Sequence, residues 1–567
     1  MARIMNPRTI RWGLAMGASL IAMSPALAAE GNDKCSVASI QAMTSPDATI
    51  VSASEVAQPV PHCKIDGYVT TDNPGPNRVN FRLQLPDEGW NGRYYFIGMG
   101  ATAGYVPNDS QIPAGNPIIK GFAVAGTDTG QQNRADWRFI GTNPAQAVDY
   151  IHRGAHVSAV ATQKITRKYY DREKIWRYHS GCSGGGRMGM EALAHHPEDY
   201  DGILLGAPGI GPSYGSETML AFIYMGQQMQ REKGAWVSPA KLAMIDLKVT
   251  ELCDGLDGAK DGIIWDRAAC KVDMKRFDCK EGDGPDCLTA PERRTVEALL
   301  RGPRGPKGEQ IKDGLPISNI SVWSQFIGGP PPWDLNVDTN KLTSAQMRAL
   351  PIGYVMGNSL ARAFFGGDYQ GITQFDFNNQ KNLDDWWAAG KRLGYDRYSP
   401  NLTGFQKLGG KIIFWNGVSD PCCLEQDLLS YYHSVGKAIG GEKALADFAR
   451  FYSIPGMGHC GSGTGPQDAP DVMLQALIAW VEQKKGPEEI VAHRGDRAQN
   501  SFADPKTGTV SGIVVPPSTG TPRDFLLCPS PKIARFNGKP GGEADAVNWS
   551  CKPRTSTKVA SLYTPAS

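Results

Sequence analysis

Two dipeptides hold the chemistry open to this chain: Cys182-Ser183 and His459-Cys460. A serine is a useful nucleophile only when a base takes its proton, and histidine is the side chain whose ordinary pKa suits that task near neutrality. Ser183 and His459 are far apart in sequence, and each has a cysteine beside it. A bond between Cys182 and Cys460 would hold their Cα atoms roughly 4.4–6.8 Å apart. Ser183 and His459 would then lie within side-chain reach, which is the core of a nucleophilic hydrolase. Cys182 is the rival nucleophile, but an oxidised cysteine cannot attack.

The surroundings of each residue fit that chemistry. Gly181-Cys182-Ser183-Gly184-Gly185 matches G-x-S-x-G, after an apolar run and before a helical one, as a strand–turn–helix nucleophile requires. The Gly184 N–H, at a helix start, is one expected oxyanion donor. The second is expected from Gly98-Met99-Gly100-Ala101, at Gly100 or Ala101. His459 stands in Pro455-Gly456-Met457-Gly458-His459, a tight loop after a strand. Asp420 follows the run Lys411–Trp415 and is the expected carboxylate to orient the imidazole. Asp468 and Asp471 are alternatives that read more as helix caps. His195 and His196 read as helix-end residues, and His152, His156 and His179 as structural.

Stepping from these residues to their supports, six apolar runs read as buried parallel strands. They are Tyr94–Ile97, Phe122–Ala125, Trp176–His179, Gly202–Leu205, Lys411–Trp415 and Ala449–Tyr452. Helical stretches at Ala145–Lys168, Met188–His195 and Val472–Gln483 alternate with them, which predicts a parallel α/β sheet. The pattern breaks over residues 210–398, rich in Gly, Pro and aromatic residues. This part reads as an insertion over the sheet, a lid domain splitting a catalytic domain of residues 29–209 and 399–567. Most of its aromatics are expected to form its own core.

The chain has 567 residues, 41% hydrophobic and 20% charged, enough for a large core and more than one folded unit. Residues 1–28 read as a secretory signal peptide: Arg3, Arg8 and Arg11, an apolar run, then Ala26-Leu27-Ala28. Without them the formal charge of +2 becomes −1, so charge gives no case for nucleic acid or an anionic membrane as partner. No later stretch is apolar enough for a membrane anchor. Export, to the periplasm or beyond, means an oxidising compartment, in which the twelve cysteines are read first as disulfides. Nearest-neighbour closure suggests Cys35–Cys63, Cys253–Cys270, Cys279–Cys287 and Cys528–Cys551. Cys182, Cys460 and the adjacent Cys422-Cys423 are left over, and sequence does not fix the pairing. Zinc is the competing reading, against which no CxxC pair exists and no His stands at ligand spacing from a Cys pair.

Together these motifs resemble the tannase and feruloyl esterase family of secreted serine esterases, which includes terephthalate-monoester hydrolases. The resemblance rests on Asn91-Gly92-Arg93, Gly126-Thr127-Asp128-Thr129-Gly130, Gly181-Cys182-Ser183 with Gly185-Gly186-Arg187, Pro197 through Ile203, Gly206-Ala207-Pro208, Asp420-Pro421, and Pro455 through Cys460. It implies an α/β-hydrolase fold with a large lid insertion, catalytic Ser183, Asp420 and His459, and a Cys182–Cys460 bond. It also implies structural calcium in the lid, on Asp254, Asp257, Ala259, Asp261 and Ile263. Three carboxylates in a Gly-rich loop make an oxygen cage for a hard cation, whatever the family. The implied substrate is a small aromatic ester, of a phenolic or terephthalic acid, with Arg348 and Arg362 as candidate carboxylate binders. Two departures stand out. Ala101 replaces the family's usual glycine, and Cys422-Cys423, as a vicinal disulfide or as thiols, is expected to shape the acyl pocket. The rivals are a peptidase or lipase on this fold, a hydrolase of non-aromatic esters, and a calcium-dependent binding protein on an inactive scaffold.

Overall fold

The computed structural model describes residues 34–554 except 108–116, 210–215, 268, 344–345, 347–349, 396–397, 496–508, 511–512 and 515–519. The expected signal segment and Arg348 lie outside the described residues. The main sheet has nine strands: β1 Ala48–Val56, β2 His62–Thr71, β3 Asn77–Pro86, β4 Arg93–Gly98, β5 Ala123–Thr127, β6 Trp176–Cys182, β7 Gly202–Gly206, β8 Lys411–Gly417 and β9 Ala449–Ile454. Their order is β1-β2-β3-β5-β4-β6-β7-β8-β9.

The six apolar runs form β4 to β9, and these strands pair in parallel. Continuous apolar sequence is what a strand covered on both faces demands. β1, β2 and β3 are antiparallel and were not anticipated. They alternate: in β2, buried residues recur at every second position through Ile65, Gly67 and Val69. Such strands have one wetter face and carry no unbroken apolar run.

Helices cover the sheet. The stretch expected as one helix from Ala145 is Pro144–Val148, a widened turn Asp149–Arg153, and helix Gly154–Tyr169. In the widened turn the carbonyls of Tyr150 and Ile151 accept from the Arg187 guanidinium, at 2.7 and 3.1 Å. That bond ties the helix Gly184–His195, which starts at the candidate nucleophile, to its neighbour.

Between β7 and β8 the chain passes through helices Ser216–Gln230, Pro239–Cys253, Ala290–Arg301, Ile352–Phe365 and Gln380–Arg392, and among the described residues it adds no strand to the sheet. Trp323, Tyr354 and Trp386 are wholly buried there as core. After helix Ala469–Gln483, two ribbons, Ile490–Arg494 with Arg523–Leu527 and Lys532–Phe536 with Trp549–Pro553, pack on the acidic loop near residue 260. Trp265 stacks on Trp549 with centroids 4.4 Å apart, and Ala259 packs in one cluster with Leu526, Cys528, Ala534 and Trp549. Among the described residues no helix is long and apolar enough to cross a membrane.

Candidate active site

β6 ends at Cys182, and Ser183 turns the chain into helix Gly184–His195 with φ 61° and ψ −123°. A side-chain-bearing residue with positive φ costs about 1–3 kcal/mol and persists only where its surroundings impose it. Here the Ser183 N–H donates to the Gly206 carbonyl at 3.0 Å, and the Arg187 N–H donates to the Ser183 carbonyl at 2.9 Å. The glycines of the first turn are dictated by contact. A Cβ on Gly185 would lie 2.1 Å from the Gly98 carbonyl oxygen, and one on Gly184 2.2 Å from that of Ala101. The end of β4 and the loop after it therefore press on the helix start, where backbone N–H groups point outward. Ala101 has φ 50°, a conformation that glycine adopts without strain, and the Gly100 carbonyl accepts from the Ala103 N–H at 3.0 Å. His179, beneath the turn, meets the Gly185 carbonyl through Nε2 at 2.9 Å. Burial lowers its pKa to about 4, partly offset by that bond, so the ring is neutral and Nε2 carries the donated proton.

Asp420 and His459 sit on the loops after β8 and β9. The Asp420 carboxylate is 0% exposed. Its Oδ1 accepts from the N–H groups of Cys422 and Cys423 at 2.8 and 2.9 Å, and its Oδ2 lies 2.8 Å from His459 Nδ1. Burial alone would lower the His459 pKa. The Asp420 charge and the hydrogen bond to Asp420 outweigh it and raise the pKa to about 9. Asp468 instead accepts from the His493 N–H, and Asp471 pairs with Lys120, so neither alternative is the carboxylate on this imidazole. His152, His156 and His195 face Glu191 or Asp199, and His196 stacks on His156. Cys422 and Cys423 are buried thiols with sulfurs 3.2 Å apart.

Five disulfides are present: Cys35–Cys63, Cys182–Cys460, Cys253–Cys270, Cys279–Cys287 and Cys528–Cys551. Cys182–Cys460 joins the residue before Ser183 to the residue after His459 across 278 positions, with Cα atoms 6.0 Å apart. Chain entropy assigns so long a closure roughly 5 kcal/mol. Misplacement by about 1 Å can cost 10²-fold in rate. The double variant Cys182→Ala/Cys460→Ala is therefore expected to lose about 10²-fold in kcat while still folding at 25 °C, on the sheet and four remaining disulfides. Near-UV circular dichroism and kcat measured on one preparation check this. Unchanged kcat in the folded variant would leave the bond a purely stabilising role.

Sequence reading missed a further group. Residues 318–326, between β7 and β8, are stitched over both loops. The Ser318 hydroxyl lies 2.9 Å from that of Ser419, next to Asp420, and the Asn319 amide donates to Ser419 Oγ and the Gly456 carbonyl at 3.2 and 3.3 Å. The Ser462 hydroxyl donates to Gln325 at 3.0 Å. Phe326 meets the His459 ring edge to face at 5.3 Å and stacks on Phe222 at 5.4 Å. No spacing announces such contacts, because they join segments more than 90 residues apart. Arg362 is bonded to the Asn336 side chain.

In the acidic loop the carboxylates face their own backbone. Asp254 Oδ1 accepts from the N–H groups of residues 261, 262 and 263, and Asp257 from those of Ala259 and Trp265. Asp261 accepts from the Ile263 N–H and pairs with Arg523 at 2.6 Å. Burial first, then the charges of its two neighbours, raise Asp257 to about 7 against these hydrogen bonds, and Asp254 is raised in the same direction. Three carboxylates in one Gly-rich loop are the donor chemistry that a hard cation takes. The carboxylates do not converge as tightly as a formed metal cage requires. Among the described residues, the only three metal-ligating side chains of His, Cys, Asp or Glu with ligand atoms all within 4.8 Å are Cys422, Cys423 and His459.

The family model described as tannase and feruloyl esterase matches residues 63–552. The mono(2-hydroxyethyl) terephthalate hydrolase of Piscinibacter sakaiensis is 28% identical over 559 residues, covering 89% of this chain and 87% of that protein. A probable feruloyl esterase B-2 of Aspergillus terreus is 25% identical over 506 residues, covering 86% of each. The crystal structure of feruloyl esterase B from Aspergillus oryzae superposes with a TM-score of 0.71 at 22% identity, over 92% of this chain and 99% of that one. Matched span and superposed fold agree, and the chain belongs to the tannase and feruloyl esterase family of carboxylic ester hydrolases, on an α/β-hydrolase fold.

Proposed function

We propose that the chain hydrolyses esters of aromatic acids through an acyl-enzyme on Ser183. The observation that carries this reading is the buried Asp420–His459 pair, joined by Cys182–Cys460 to a left-handed serine at a helix start. His459 takes the Ser183 proton and Oγ attacks the ester carbonyl. Asp420 holds the ring and favours the imidazolium that forms. The Gly184 N–H and the backbone of Gly100 or Ala101 hold the oxyanion. The imidazolium returns its proton to the leaving alcohol, and water, deprotonated by the same ring, releases the acid.

An aromatic acyl group is favoured by Phe326 against His459, with Phe222 stacked behind it. The relatives named for feruloyl and terephthalate esters point the same way. Residues 210–398 are assigned as the lid over the site. Five disulfides accord with export by way of residues 1–28. Assays of methyl ferulate, methyl gallate, chlorogenate and mono(2-hydroxyethyl) terephthalate beside p-nitrophenyl butyrate test the reading. At least one aromatic-acid ester is expected to exceed the aliphatic ester in kcat/KM. Turnover of aliphatic esters alone would overturn the acyl preference, and silence with all of them would favour the binding-protein rival.

The acidic loop is assigned to calcium, with the carboxylates of Asp254, Asp257 and Asp261 and the carbonyls of Ala259 and Ile263 as its ligands. Bolted to the C-terminal ribbons, the ion supports the fold and takes no part in the reaction. Calcium at 100-fold its Kd is expected to add about 2.7 kcal/mol of stability. Melting curves with calcium and with chelator check this, and Asp257→Asn is expected to abolish the difference.

A further inference from the structure

We infer that Cys422, Cys423 and His459 form a site for a thiophilic divalent cation, zinc by preference, whose binding removes the catalytic base. One ligand atom from each residue falls within a 4.8 Å cluster, and the two sulfurs are 3.2 Å apart. In a tetrahedral site with Zn–S about 2.3 Å, neighbouring sulfurs stand roughly 3.8 Å apart. The two sulfurs therefore need to part by only about 0.6 Å to take up that spacing. Two thiolates and an imidazole are the soft donor set that zinc selects and that calcium, an oxygen binder, avoids.

The surroundings are already those of a metal-bound histidine. A ligating imidazole usually gives its other N–H to a carboxylate, which fixes the ring. His459 Nδ1 faces Asp420 Oδ2 at 2.8 Å, leaving Nε2 for a metal. The other oxygen of the same carboxylate holds the N–H groups of both cysteines, so one buried group orders all three ligands. Cys422, Cys423 and His459 keep 4%, 5% and 6% of their surface exposed, whereas Asp420 keeps none. On binding, both S–H bonds break and their protons pass to the buffer. The neutral imidazole gives its Nε2 lone pair to the metal, and no electron is transferred. Because Nε2 is the atom that accepts the serine proton, occupancy and turnover exclude each other. This consequence rests on the esterase reading, whereas the binding does not.

Cobalt(II), added to the calcium-loaded full chain, is the probe. One equivalent is expected to give a thiolate-to-cobalt charge-transfer band, which the all-oxygen acidic loop cannot produce, and added zinc is expected to displace it. Zinc alone should then abolish p-nitrophenyl acetate turnover in proportion to the metal bound, with recovery on chelation. In Cys422→Ser/Cys423→Ser the band should be lost, and whatever turnover remains should not respond to zinc. No band with the wild-type protein, or denatured protein with no free thiol because the pair has oxidised, would overturn the site. A band without zinc inhibition of an active enzyme would overturn its placement on His459. A band on a protein inert to every ester would sink the esterase reading and leave the metal site standing.

Discussion

Ser183→Ala is expected to lower kcat on any ester by a factor on the order of 10⁶, with no change in melting temperature. Alanine retains the Cβ, so the backbone at φ 61° is no more strained than before. The bond from residue 183 to the Gly206 carbonyl is a main-chain bond and survives the exchange. Only the nucleophilic oxygen is lost. What remains is the oxyanion site and substrate binding, which in such enzymes leave roughly 10³–10⁴-fold over water. An organophosphorus ester should label the wild-type protein at residue 183, seen by intact mass, and leave the variant untouched. Ser183→Gly would be a poorer test, because it relieves backbone strain as well as removing the hydroxyl. Turnover by Ser183→Ala within tenfold of wild type would mean that another group attacks. Since Cys182 is held in a disulfide, the thiols of Cys422 and Cys423 would be the next to examine.

What could be read from sequence follows from where the physics is local. β4 to β9 announce themselves because parallel strands covered on both faces must be apolar throughout. The turn at Ser183 announces itself because helix Gly184–His195 meets the Gly98–Ala101 loop so closely that only glycine fits at Gly184 and Gly185. The strands β1 to β3 carry no unbroken apolar run; their signal is alternation, as in Val79, Phe81, Leu83 and Leu85 of β3, and a search for continuous apolar runs passes over it. The cover over the site was hidden for another reason. Asn319 and Gln325 recognise loops at residues 456–464, and those hydrogen bonds depend on the path of the intervening chain. Arg523 on Asp261 is the same case across 262 positions. The adjacent Cys422 and Cys423 looked like a local puzzle. Their N–H groups on Asp420 give them a positioning role that only the folded loop reveals.

Asp420→Asn should lower kcat by about 10⁴. It should also shift the pH profile, in a direction that the hydrogen bonds at Asp420 dictate. Its Oδ1 takes the two cysteine N–H donors, and its Oδ2 takes His459 Nδ1. An asparagine has one acceptor oxygen, and the two N–H donors claim it. The amide NH₂ then faces Nδ1, which must become an acceptor, and the ring proton moves to Nε2. A ring protonated at Nε2 cannot accept the serine proton, so the variant fails by tautomer while its geometry is kept. The charge effect has its own sign. In the wild type, burial pushes the imidazole down, and the charge of Asp420 with its hydrogen bond raises it above its ordinary 6.5, to about 9. The base works only when neutral, so kcat/KM should climb with pH through a limb at the raised value, about 9. Losing the Asp420 charge leaves burial to dominate and should move that limb downward. Stability follows the same linkage: the raised pKa contributes stability present below about pH 6.5 and lost as pH rises through about 9. The deficit in melting temperature of Asp420→Asn should therefore be widest in mild acid and shrink toward alkaline pH. A lower kcat with an unmoved limb would place the titration elsewhere than on His459, and the assignment of the base would fall with it.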